Sequence, residues 1–172
     1  MHAIVGRAAL GLSLGLVVML GTIGTRGNVI AQEASPMTVA ETQATFEAYA
    51  DALLGGGAYE TYFADDIVVT MTGVPGEIVG PAAAKAAIDT MHTEQFDAHP
   101  KFGNVVIGEG TGALEAVFVG THIGEFAGIA ATEKEVTVPY SVFYEFEDGK
   151  ITNLRIYALV EGIVQQLQAA PA

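Results

Sequence analysis

From Lys101 to Tyr157 the chain reads as consecutive strands joined by short connections, and this constrains its fold more than any other feature. Phe102 to Gly108 and Ala113 to His122 are β-rich runs separated by Glu109-Gly110-Thr111-Gly112, a turn by composition. A loop covers residues 123–134. Glu135 to Glu147 and Ile151 to Tyr157 then flank Asp148-Gly149, a dipeptide suited to a two-residue type I′ hairpin. An apolar helical tail follows, from about Val160 to Leu167.

Helices come first. Ser35-Pro36 and then Thr38-Val39-Ala40-Glu41 supply capping residues and a capping-box spacing. Phe46, Tyr49, Ala50, Leu53 and Leu54 recur at helical intervals, predicting a helix over 38–54 that Gly55-Gly56-Gly57 stops. A short helix, 58–64, and a first strand, 67–71, are expected next. Asp65-Asp66 lies at their junction. Residues 73–80 read as a glycine-rich loop, and Pro81 suits the first position of a helix lined by Ala84, Ala87, Ile88, Met91 and Gln95. Helices followed by antiparallel strands predict an α+β domain. Its curved antiparallel sheet is wrapped by the N-terminal helices into a cone with an apolar pocket.

The expected domain spans 38–168, after a polar leader at 32–37 and before a tail at 169–172. Residues 1–31 have the layout of a secretory signal peptide: a positive start through Arg7, an uncharged apolar run from Ala8 to Ile23, and small or compact residues at Val29-Ile30-Ala31. Cleavage is expected after Ala31. The competing reading is an uncleaved anchor, but the run is short and diluted by glycine. Cleavage removes Arg7 and Arg26 and no acid, leaving a chain still more acidic than the formal −13 of the whole. Such a charge disfavours nucleic acid and anionic lipid. With no cysteine, the chain has no disulfide, no thiol chemistry and no lipoprotein anchor. The expected location is therefore extracytoplasmic, in periplasm or medium, with no membrane contact once the signal is removed.

The segments 120-GTHIGEFAGIAATEKEVTVP-139, 62-YFADDIVVT-70 and 151-ITNLRIYALVEGIVQQL-167 resemble the SnoaL-like polyketide (ester) cyclases. Gly80 with its alanine-rich helix and the Asp148-to-Ile151 hairpin fit the same pattern. The likeness covers roughly Phe46 to Leu167. It implies the nuclear transport factor 2-like fold, a curved sheet wrapped by helices around an apolar cavity. That fold hosts many chemistries, so it does not by itself fix a function. The resemblance also implies a pocket aspartate acting as general acid or base in an intramolecular aldol closure, with no metal or cofactor. Apolar burial suits such a group by raising its pKa toward the working pH. Here the family's Tyr-x-Asp step reads Tyr157-Ala158-Leu159, and leucine transfers no proton.

His122 is the leading substitute. It shares strand parity with Leu114, Ala116, Phe118 and Gly120, and it could serve as a base or as a donor to a carbonyl. The structural alternative is a hydrogen-bonded histidine that orients the Gly124–Gly128 loop. Glu161 would share a face with Leu159 if the strand continued, although a solvated glutamate at a helix start is the simpler reading. Glu125 is read as a loop or rim residue. Tyr49, Tyr140, Tyr144, Tyr157 and Leu159 are ligand-binding candidates, with ordinary core burial as the alternative for each tyrosine. His92, Glu94, Asp97 and His99 match no metal-ligand spacing, and no metal site is expected. No phosphate loop, nucleophile elbow or dinucleotide fingerprint is present.

Two readings follow. The first is an exported protein that binds a small apolar or carbonyl-bearing molecule in its cone. The second is a metal-free cyclase, isomerase or lyase working through His122 and a tyrosine. The missing aspartate and the export signal put binding first. Phe143, among polar residues on the outer sheet face, points to a homodimer.

Overall fold

The computed structural model describes residues 37–169; the expected signal peptide at 1–31, residues 32–36 of the expected leader and the tail beyond Ala169 lie outside them. Met37, read from sequence as the end of the leader, instead packs into the core beside the hairpin turn, where its sulfur accepts a 3.3 Å hydrogen bond from the Gly149 amide. Helix α1 (Val39–Leu54) starts at the expected capping box: Thr38 Oγ1 accepts from the Glu41 amide and the Glu41 carboxylate accepts from the Thr38 amide. Hydrogen bonds donated to it by the Thr38 hydroxyl first, and then by the Thr38 amide, hold the Glu41 carboxyl below its ordinary pKa.

Strand β1 (Phe63–Met71) begins four residues earlier than the sequence predicts, and the expected short helix shrinks to a 3-10 turn over Tyr59–Tyr62. Tyr59 and Phe63 both pack against Tyr49, so aromatic burial sets this boundary. Two-residue strand β2 (Ile78–Val79) folds back on β1, and Gly80 then leads into helix α2 (Pro81–Asp89). The predicted single helix does not continue regularly to Gln95. Thr90–Gln95 widens into a π-helical turn, and Phe96–Ala98 forms an unanticipated short strand, β3.

Strands β4 (Lys101–Gly108), β5 (Thr111–His122), β6 (Glu135–Glu147) and β7 (Lys150–Tyr157) form the expected meander. Asp148 and Gly149 take φ of 48° and 74°, the doubly left-handed geometry of a type I′ turn. The sheet order is β2-β1-β7-β6-β5-β3, with β4 beside the first half of β5. One pairing departs from the antiparallel rule: β1 runs parallel to β7. Helices line one face of this strongly curled sheet, giving the α+β half-barrel of the cone fold.

Thr42, fully buried in α1, accepts the Gly110 amide at 3.0 Å and thereby ties the helix to the β4–β5 turn. Helix α3 (Leu159–Gln168) buries Leu159, Val160, Ile163 and Leu167 over β6. Among the described residues, no helix is long and apolar enough to cross a membrane.

Candidate functional site

An apolar cavity of about 70 Å³ lies between α1, α2 and the inner sheet face. Its walls combine aliphatic side chains such as Leu53, Val69, Ile78, Ile156 and Leu159 with Tyr49, Tyr140, Tyr144 and His92. No aspartate or glutamate is among these lining residues. Pockets for drug-sized ligands occupy roughly 300–1,000 Å³, so this space takes only a small molecule as it stands.

Strand alternation turns Tyr140 and Tyr144 of β6 inward, and Tyr49 arrives from α1 with its ring 6.0 Å from that of Tyr144. No hydroxyl of the three has a hydrogen-bond partner among the described residues. Burial pushes the Tyr140 phenol up to about 12. Tyr49 and Tyr144 are raised by burial first, and then by the neighbouring tyrosines. All three therefore remain protonated donors across the physiological range, on residues that line one apolar volume.

His92 is on the π-helical turn, its ring 6.0 Å from Phe118. Burial lowers its pKa and the nearby Asp89 carboxylate opposes that shift, which leaves a neutral imidazole at neutral pH. Asp89 stays ionised because Lys85 donates to it at 2.5 Å and the Tyr59 hydroxyl at 2.6 Å. His92, Leu53 and Ile88 also line an outer groove that contains Asp89, so they form the partition between groove and cavity.

The family model described as SnoaL-like polyketide cyclase matches residues 47–167. The chain belongs to that family. A candidate SnoaL-like polyketide cyclase from Jannaschia sp. CCS1 superposes with a TM-score of 0.69 at 18% identity, covering 81% of this chain and 99% of the other. AclR, a candidate hydroxylase from Streptomyces galilaeus, gives 0.63 at 21% identity over 78% of this chain and 100% of its own. A protein of ketosteroid isomerase-like fold from Catenulispora acidiphila, solved with trimethylamine, gives 0.58 at 18% identity over 76% and 99%. At these identities the likeness is one of fold, and the names attached to it span several chemistries. No curated protein matches the chain.

Against this SnoaL-like frame the sequence-derived candidates divide. Tyr49, Tyr140, Tyr144 and Leu159 come together on the cavity wall, and Leu159 is only 4% exposed. His122 is fully buried but does not line the cavity. Its Nδ1 lies 3.0 Å from Thr132 Oγ1, its ring packs 5.1 Å from Phe96, and Nε2 has no partner among the described residues. Its backbone exchanges hydrogen bonds with Glu133 and Lys134, fastening the loop that returns to β6. These bonds are to residues 132–134 and none is to the Gly124–Gly128 segment, and the imidazole lies outside the cavity lining.

Tyr157 and Glu161 also leave the site. Ala158 adopts φ 65°, which ends the strand and cancels the parity that put Tyr157, Leu159 and Glu161 on one face. Leu159 turns inward. Tyr157 stays 42% exposed on the outer face, edge-on to Phe143 at 5.8 Å. Glu161 is an exposed first-turn residue of α3, beside Gly73. Glu125 is likewise exposed.

The residue that sequence reasoning missed is His92, considered only as a metal ligand. Among the described residues no group of acids and histidines is arranged to hold a metal. The available signal was the row Ala84, Ile88, His92 at intervals of four, which places the imidazole on the helix face that packs inward.

Proposed function

We propose that the chain is an exported SnoaL-like domain whose cavity binds a small, mainly apolar molecule bearing a carbonyl or similar acceptor oxygen. The observation that carries this reading is the make-up of the wall: three protonated tyrosine hydroxyls in an apolar lining without a carboxylate, and Leu159 where the family resemblance expects the acid. Hydroxyl donors without protein partners gain most from an acceptor on the ligand, since a buried donor left unpaired costs about 1–3 kcal/mol. The apolar remainder of the ligand fills the aliphatic wall. Export rests on the layout of residues 1–31. A homodimer through the outer face of the sheet rests on Phe143, 46% exposed beside Tyr157.

The test compares cyclohexanone with methylcyclohexane, a hydrocarbon of similar size, by ligand-observed NMR on the purified protein. The ketone should bind more tightly, and Tyr140→Phe should remove about tenfold of that preference, the equivalent of one hydrogen bond of about 1.4 kcal/mol. Equal affinity for both ligands, or a preference untouched by all three Tyr→Phe changes, would remove the tyrosines from recognition. N-terminal sequencing of protein recovered outside the cytoplasm should start at Gln32; a retained Met1 would contradict cleavage.

A further inference from the structure

We infer that His92 is an acid–base residue of the cavity, placed to take a proton from the carbon beside the carbonyl of a bound small ketone and to exchange it with water in the outer groove. The inference goes beyond binding and rests on the cavity accepting a carbonyl compound. Three observations meet at this residue. His92 is the one nitrogen base among the cavity-lining residues, which include no acid, lysine or arginine. It also lines the outer groove, so one residue borders both the ligand space and the groove. It sits on the π-helical turn Thr90–Gln95, a backbone irregularity that often marks functional positions.

The surroundings suit the charge that proton transfer creates. Asp89, one turn earlier, faces the groove as a carboxylate fixed by Lys85 and by the Tyr59 hydroxyl. It attracts an imidazolium on the groove side without entering the cavity. The other titratable groups that line the groove are Asp97 and His99, 3.5 Å apart and exposed; Glu94, on the turn itself, is exposed and outside the groove lining. On the cavity side they are Tyr49, Tyr140 and Tyr144. Burial keeps the imidazole below its ordinary pKa, so the basic form prevails at neutral pH.

The step balances without any co-reactant except water. The C–H bond breaks as an N–H bond forms on His92; the C–H electron pair becomes the carbon–carbon double bond of an enolate, and the carbonyl π pair moves onto oxygen. That oxygen is held by tyrosine O–H donors. The imidazolium proton exchanges with groove water. Return of a proton to the carbon reforms the carbonyl, and in D₂O the returned particle is a deuteron. Asp89 acts on His92 rather than on the ligand, and so is a positioning residue.

The experiment follows loss of the α-proton NMR signal of cyclohexanone in D₂O with the purified protein, beside free imidazole as control. Binding is measured separately on the same samples. Exchange measured at saturating ketone should exceed the control, and His92→Gln should lower it by about a hundredfold, the scale of general base catalysis. Exchange in the parent protein should rise with pH through the His92 pKa and then level off. Asp89→Asn, which removes the attraction holding that pKa up, should move the rise to lower pH. This profile decides the matter if His92→Gln does not fold. Binding with exchange no faster than the control overturns the inference and leaves the binding reading intact. Exchange that survives His92→Gln, or a profile unmoved by Asp89→Asn, also overturns it. Absence of binding overturns both.

Discussion

Leu159 is where the residue scale is most informative. Its side chain closes the cavity wall at the position that the family resemblance assigns to an acid. Leu159→Asp should cost about 2–5 kcal/mol through lost apolar packing. The variant should also acquire a pH dependence that leucine lacks. Apolar surroundings raise a buried carboxyl above its unfolded pKa, so the variant is least destabilised below the unfolded pKa. Stability is then lost as pH rises through the folded value. Urea midpoints below and above the carboxylate range test this; a pH-independent difference between variant and parent would mean that the position is hydrated. Leu159 was legible because the substitution stands inside a recognisable sequence pattern. His92 was not, because a histidine near other acids and histidines invited a metal reading, and its burial depends on which elements cover α2. His122 is a different case: its parity is as expected, and Leu114, Ala116, Phe118 and His122 are all buried, but that end of the inner face is filled by Phe96 and Phe126. Periodicity tells which side of a strand a residue occupies and is silent on whether that side is core or cavity.

At the level of elements, the junction of β7 and α3 decides which side chains reach the site. Tyr157-Ala158-Leu159 contains no glycine or asparagine, the residues that normally signal a left-handed turn, so nothing local marks the φ of 65° at Ala158. The conformation is imposed by α3 packing its apolar face onto β6. Ala158→Gly should therefore raise stability. Relief of left-handed strain, about 1–2 kcal/mol, exceeds the added chain entropy of glycine, about 0.5–1 kcal/mol. A denaturant midpoint that rises with an unchanged slope is the expected result. A fall would show that the Ala158 methyl makes contacts worth more than the strain. Elsewhere the local signals were strong where the decisive interaction was local. The capping box at Thr38 and the turn at Asp148-Gly149 involve residues adjacent in sequence. The parallel pairing of β1 with β7 and the short β3 opposite the end of β5 depend on partners far along the chain, which no window of sequence reveals.

Across the whole domain, the order of helices and strands was enough to predict an α+β cone, because sheet and helices have one apolar face each to bury. The placement of the cavity follows from the core being divided. One apolar cluster gathers α1, the 3-10 turn and the β6–β7 hairpin end around Phe46, Tyr49, Phe63 and Phe146. The other gathers α3, the π-helical turn and β3 around Phe96, Phe118 and Ile163. Tyr140 and Ile156 pack against both clusters, and both line the cavity. A molecule bound there fills the seam between two halves of one core, so binding should report on global unfolding. Ligand at a hundred times its Kd should stabilise the domain by about 2.7 kcal/mol. Ala87 offers a way to close the space, since it lines the cavity from α2 with only a methyl group. Ala87→Leu places three more carbons in the void, and volume-matched filling of an apolar site should change stability by less than about 1.5 kcal/mol. The ligand-dependent part should then vanish, so that saturating cyclohexanone moves the unfolding midpoint of the parent and leaves that of Ala87→Leu where it was. A variant that still gains the full stabilisation would place the ligand in the outer groove, on the solvent side of His92, instead of in the cavity.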